Sequence, residues 1–174
     1  MREADKLARF EWAISPHLGA AYNLARWLTR DDHDAEDVVQ EAALRAYQFF
    51  DGFRGQDGRA WLLKIVRNTC YTWLEKNRAW RPESFDETKH GVASPGVGPD
   101  ARLQVSEDRQ LLRSALDCLP AEYREVIVLR ELEGLSYKEI AGVADVPLGT
   151  VMSRLARARE RLLQSLSGHP AEEP

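Results

Sequence analysis

Apolar residues recur at three- and four-residue spacing along nearly the whole chain, and no stretch alternates apolar and polar between hairpin turns. The pattern predicts helices throughout. One is expected over residues 7–28. A second starts with Asp34 as N-cap and Asp37 three residues on, and runs to about Phe50, with Val38, Ala42, Leu44, Ala46 and Phe49 on its buried side. Gly52, Gly55 and Gly58 interrupt the chain, and a third helix follows over 59–78 with Leu62, Ile65, Val66, Cys70, Trp73 and Leu74 as its core stripe. Four more are expected over 106–119, 121–132, 136–143 and 148–166, with Pro120 and Gly134 as stops.

Between these groups the composition changes. Pro82, Gly91, Pro95, Gly96, Gly98 and Pro99 crowd a stretch with few large apolar residues, which reads as a flexible linker. Fully extended, its ~20 residues would reach roughly 60 Å. The expected fold class is therefore all-α: two small helical domains, 1–81 and 106–167, a linker over 82–105, and a loose tail over 168–174. The 174-residue length suits two such units, and 44% hydrophobic with 30% charged residues is a globular composition.

Charge is segregated behind a modest net value of -4. Asp31, Asp32, Asp34, Glu36, Asp37 and Glu41 form an acidic cluster without a Lys or Arg among them. From Arg54 to Arg81 the balance reverses, and Arg154, Arg157, Arg159 and Arg161 make a third, basic block. Such a chain offers one face to a basic protein and others to phosphates. Cys70 and Cys118 lie far apart and form no CxxC pair, so reduced thiols are expected. The start of the chain has no apolar signal core, and no apolar run approaches the ~20 residues of a membrane span. A cytoplasmic protein without membrane insertion is expected.

The sharpest local pattern lies near the C-terminus. Ser136 is placed to cap a helix, with Glu139 completing a capping box. Ile140 and Ala141 face inward, a turn falls at about 144–147, and Val151, Leu155, Ala158 and Leu162 form the inward stripe of the next helix. The opposite face carries Thr150, Ser153, Arg154, Arg157 and Arg161. This is a helix-turn-helix whose second helix suits the major groove: hydroxyls near its start and guanidinium forks along one side. Met152 suits either a thymine methyl or packing. The other reading of this face is a solvated arginine surface used for protein contacts.

Residues 147–159, Pro-Leu-Gly-Thr-Val-Met-Ser-Arg-Leu-Ala-Arg-Ala-Arg, resemble the recognition segment of extracytoplasmic-function sigma factors, and Leu119 to Val126 resemble the approach helix of the same sigma region four. Asp34-Ala35-Glu36-Asp37-Val38-Val39-Gln40-Glu41 resembles the region-two segment that grips core RNA polymerase. Phe53-Arg54-Gly55 and residues 60–68 continue the match. The resemblance implies that Asp34, Glu36, Asp37, Val38, Gln40 and Glu41 bind the clamp helices of the largest polymerase subunit. It implies that Arg54, Gly55, Arg59, Lys64, Arg67, Asn68 and Tyr71 take the minus-10 promoter element as single strand. Ser136, Tyr137, Lys138, Gly149, Thr150, Met152, Ser153, Arg154, Arg157 and Arg161 would then read the minus-35 element as duplex, with region four also meeting the polymerase flap. An anti-sigma factor is a further expected partner.

Physical chemistry supports the same assignments. A glycine loop lets backbone approach a base, Lys and Arg hold phosphates, Asn68 can bond a base edge and Tyr71 can stack. Lys64, Arg67, Asn68 and Tyr71 fall on one side of their helix, while Trp61 and Trp73 read as core positions before stacking platforms. The acidic stretch alone would also suit a solvated helix start. The rival reading is a stand-alone helix-turn-helix regulator of duplex operators; another is a pure interaction protein. No HExxH, GxxxxGK[ST] or GxSxG pattern occurs, His17, His33, His90 and His169 are scattered, and neither enzyme chemistry, a metal nor a cofactor is expected.

Overall fold

The computed structural model describes residues 2–55, 57–78 and 100–168. Among these, eight α-helices occur and no strand. Helix α1 (Glu3–Ile14) carries Glu3 and Asp5 at its positive end. The helix expected over 7–28 is in fact two. Pro16 lacks an amide hydrogen, so the chain passes through a tight turn at Ser15–His17 before α2 (Leu18–Thr29) begins. Arg30, left-handed at φ 63°, ends α2.

Helix α3 (Asp32–Phe49) starts earlier than expected, because Asp31 and not Asp34 is its N-cap: the Asp31 carboxylate accepts from the amides of His33 and Asp34. Its buried side is made of Ala35, Val38, Ala42 and Ala46. Leu44 and Phe49, expected to be buried, are 66% and 65% exposed. The inward positions are small because α2 and α4 both pack there. Helix α4 (Gly58–Arg78) begins where a β-carbon on Gly58 would stand 2.4 Å from the Ala13 carbonyl oxygen, so only glycine allows this approach to α1. Ile14, Leu24, Leu28, Val38, Leu62, Leu63 and Val66 fill the centre of this bundle. Each such side chain contributes about 1.5–3 kcal/mol by leaving water.

Helix α5 (Asp100–Asp117) begins six residues before the expected start, inside the stretch assigned to the linker. Ala101, Arg102, Leu103 and Gln104 are all strong helix formers, and the last Pro precedes them. Helix α6 (Ala121–Ile127) does not continue regularly to 132; it widens into a π-turn at Val128–Leu132, where the amide of Glu133 donates to the Val128 carbonyl. Gly134, at φ 68°, closes it. Helix α7 (Tyr137–Ala144) has the expected capping box, Ser136 Oγ accepting from the Glu139 amide and Glu139 accepting from the Ser136 amide. Asp145 turns the chain at φ 55° into α8 (Leu148–Leu166). Ile140, Val143, Val151, Leu155 and Ala158 join the two helices.

The two helical units are docked on each other. Helix α6 lies on α2 and α7 on α4, and a single apolar core runs through both.

Candidate polymerase and nucleic-acid interfaces

The acidic face is set by the start of α3. Glu36, Asp37, Gln40 and Glu41 are exposed, and Asp34 is half-buried. Glu41 pairs with Arg45 one turn on, Nη2 to Oε1 2.5 Å. Asp32 is bonded by Arg26 and Tyr22, and the Arg26 hydrogen bond holds its carboxyl below the usual range. Val38, placed by the sequence among the polymerase-facing residues, is 1% exposed and belongs to the bundle core. With small Ala35 and Ala42 around it, it faces α2 and α4 and supports the acidic face from beneath.

The loop before α4 and the outer side of α4 make the second surface. Arg54 and Gly55 are exposed, with Gly55 at φ 74°. Beside them an open apolar groove of about 310 Å³ is lined by Ala8, Trp12, Phe50 and Phe53. The Trp12 indole is 84% exposed, a platform the sequence reading missed because its helical position looked like any other amphipathic one. Trp61 is half-buried and packs on Phe50 and Phe53, ring centroids 6.3 and 5.0 Å away; Trp73 is half-buried against the core.

Lys64 and Asn68 are exposed, but the expected single face of α4 is divided. Arg67 and Tyr71 turn toward the C-terminal unit. Arg67 Nε donates to Glu125 Oε1 at 2.6 Å, and Tyr71 Oη donates to Glu125 Oε2 at 2.9 Å. The Arg67 guanidinium also lies 4.0 Å from the Tyr71 ring centroid. Arg59 Nη1 donates to the Glu133 carbonyl at 3.1 Å. Burial pushes the Tyr71 hydroxyl and the Glu125 carboxyl upward, the latter pulled back by Arg67.

On the helix-turn-helix, Ser136, Lys138, Gly149, Met152, Ser153, Arg157 and Arg161 are exposed, and Tyr137 and Thr150 half-buried. Ser153 Oγ donates back to the Thr150 carbonyl. Tyr137 lies under the Arg130 guanidinium, and Arg161 reaches over the Tyr123 ring at 5.1 Å. Arg154 differs from its neighbours: it folds toward α6, Nη2 3.9 Å from Glu122, with only 19% of its side chain exposed. Arg157, Arg159 and Arg161 are the exposed cations of α8, and Arg159 among them pairs with Glu131 at 2.8 Å.

Sequence reasoning missed the residues that join the units. Arg124 is 2% exposed, and its guanidinium donates to the carbonyls of Leu116 and Leu119 in its own unit and of Trp27 in the other. Asn23 Nδ2 donates to Glu133 Oε1 at 2.7 Å. The adjacent charges at 124 and 125 within an apolar helix were the available signal; those of their partners that belong to the other unit lie at least 54 positions away.

Comparison with known proteins decides the family. Residues 13–81 match the Sigma-70 region 2 family and residues 109–162 the Sigma-70 region 4 family. The ECF RNA polymerase sigma-E factor of Escherichia coli is 41% identical over 138 residues, covering 74% of this chain and 72% of that protein. This chain belongs to the extracytoplasmic-function sigma factors. The ECF RNA polymerase sigma factor SigE of Mycolicibacterium smegmatis is 34% identical over 173 residues, 97% of this chain, which spans 66% of the relative's length. Among solved structures, the sigma factor RpoE in complex with the anti-sigma factor NepR from Bartonella quintana aligns with a TM-score of 0.71 and 32% identity, over 91% of this chain and 97% of that one. CnrH in complex with the cytosolic domain of CnrY aligns with a TM-score of 0.65 and 28% identity, over 92% and 89%. As a sigma factor the chain is a transcription initiation factor, not an enzyme and not a stand-alone operator-binding regulator. No helix among the described residues is long and apolar enough to cross a membrane.

Proposed function

We propose that this sigma factor binds core RNA polymerase through the acidic face of α3, reads the minus-35 duplex with α8, and captures minus-10 bases as single strand on the loop before α4 and on α4 itself. The observation that carries this reading is the separation of charge onto different exposed faces: Glu36, Asp37 and Glu41 on α3, Lys64 beside the neutral Asn68 on α4, Arg157 and Arg161 on α8. A basic coiled-coil surface suits the first, a single strand the second and a major groove the third.

The groove beside Gly55 adds support to the single-strand assignment. Its walls are mostly apolar, Trp12 is exposed enough to stack, and Arg9 brings a cation into the lining. Extruding a base costs a few kcal/mol of stacking, which such a pocket offsets. Melting then follows from differential binding of the open promoter, with no covalent step on this chain. The cytoplasm, where polymerase and chromosome meet, is the proposed site of action. An anti-sigma factor is a proposed partner, because the similar sigma factor from Bartonella quintana was solved in complex with one.

Run-off transcription with sigma-free core polymerase tests the reading. Wild-type chain should give discrete start sites. Asp37→Lys with Glu41→Lys should abolish association with core, whereas Arg157→Glu should spare association and lose promoter-specific transcripts. Transcription that survives both would overturn the proposal.

A further inference from the structure

We propose that a second base site lies across Trp12 from the apolar groove, and that it selects an unpaired base carrying an exocyclic amino group over thymine. The inference deepens the reading above and rests on it: the loop before α4 must be where the melted strand is held.

Two hollows meet at Trp12. The groove of about 310 Å³ and a larger open cleft of about 850 Å³ share Trp12, Ala13, Phe53 and Gly55 in their walls. The indole stands between them as a ridge near the end of α1, 84% exposed. Phe53, common to both, is held by stacking on Phe50 at 5.5 Å between centroids and by contact with Trp61. An indole so exposed offers one face to each of two successive bases, and such stacking tolerates any base. Side chains wedged between base steps also keep a strand unstacked. Trp12 precedes residue 13, where the match to the Sigma-70 region 2 family begins.

The two sides of the ridge differ in chemistry. In the groove the charged group is Arg9, whose guanidinium lies over the Phe50 ring at 5.8 Å and suits a phosphate. No Lys or Arg is among the described residues lining the cleft; its charged groups are Glu11 and Asp57, with His17 beside them. Asp57 Oδ1 accepts from the Ala60 amide at 3.2 Å, which ties that carboxylate to the start of α4. His17 rests against Gly58, where a β-carbon would stand 3.5 Å from its Cδ2. Two carboxylates repel phosphate, so a strand entering here turns its backbone away and presents a base edge. Ionised carboxylates only accept hydrogen bonds. Cytosine, adenine and guanine each bring an amino donor, whereas thymine carries carbonyl oxygens in its place and would meet the carboxylates oxygen to oxygen.

The test uses holoenzyme assembled from core polymerase and the full chain, with labelled promoter DNA whose minus-10 region is already unpaired. Each unpaired position carries the four bases in turn, and affinity is read by fluorescence anisotropy. At one position the wild type should bind the thymine form about tenfold more weakly than the other three, the effect of one well-made base contact. Glu11→Gln with Asp57→Asn should erase that difference and still bind; Asn keeps the cap of α4. Trp12→Ala should weaken binding of all four forms about tenfold through lost stacking. A thymine penalty absent at every position, or one that survives in the double variant, would overturn the amino-base site. Wild-type affinity in Trp12→Ala would overturn the ridge. Strand capture itself survives those results if the wild type prefers the unpaired promoter to its duplex; without that preference the underlying reading fails, and the site with it.

Discussion

The guanidinium of Arg124 joins the C-terminal ends of two helices from different halves of the chain: Nη1 lies 2.7 Å from the Trp27 carbonyl oxygen of α2, and Nε and Nη2 reach Leu116 at the end of α5 and Leu119 just beyond it. Terminal carbonyls have no partner inside their helices, and a cation there meets the negative end of each dipole. Burial lowers the Arg124 pKa to about 10, which still leaves it charged at neutral pH.

Arg124→Met should therefore destabilise the chain by about 3 kcal/mol, the cost of leaving buried carbonyls unpaired. Urea unfolding would show it as a lower midpoint. Arg124→Lys, which can satisfy fewer of them, should fall between. A midpoint unchanged in Arg124→Met would mean that the carbonyls find water instead.

The pH dependence of stability should carry a signature of Glu125. Burial raises its carboxyl above the ordinary 4.5, and Arg67 and Tyr71 pull it only part of the way back. A carboxyl with a raised folded pKa binds its proton more tightly when folded. Its contribution is complete below the unfolded value and is lost as pH rises through the folded one. Arg67 and Tyr71 are themselves shifted upward and Cys70 stands at about 12, so none of them titrates in mild acid. Relative to Glu125→Gln, the wild type should lose urea resistance as pH rises from 4.5. The opposite slope would show that pairing with Arg67 outweighs burial.

The two thiols should differ sharply in reactivity. Burial pushes Cys70 up to about 12, so at pH 8 about one molecule in ten thousand carries its thiolate, the reactive form. Cys118 is exposed. An alkylating agent should modify one thiol per native chain quickly and both after denaturation. Fast modification of Cys70 in the native protein would show that α4 opens locally.

Two glycine substitutions should act in opposite directions. Gly58→Ala drives a β-carbon to within 2.4 Å of the Ala13 carbonyl and should cost about 1–3 kcal/mol as α1 and α4 separate. Gly142 sits in α7 with open space around it, so Gly142→Ala should add about 0.5–1 kcal/mol by removing backbone freedom from the unfolded chain. Thermal unfolding of both variants checks the pair.

Much of the protein was legible along the chain because its signals are local. A capping box at Ser136 and Glu139 needs only three residues of spacing, and the helix-turn-helix follows from it. The stripes of α4 and α8 follow from helical periodicity, and the charge blocks from composition. Local signals also misled in identifiable places. Aspartates at 31, 32 and 34 competed for one N-cap, and only backbone geometry chose Asp31. Leu44 and Phe49 looked like core because periodicity marks a face without saying whether anything covers it.

By itself the sequence determined the helical class, the stripes of α4 and α8, the capping box of α7 and the family, since each depends on residues close together in the chain. Tertiary structure alone decided that Val38 is core, that Arg154 folds inward, and that Arg67 and Tyr71 point at Glu125. Those outcomes depend on which buried charge finds which partner across a dock, and pairing over such separations leaves no trace in the spacing of a single chain.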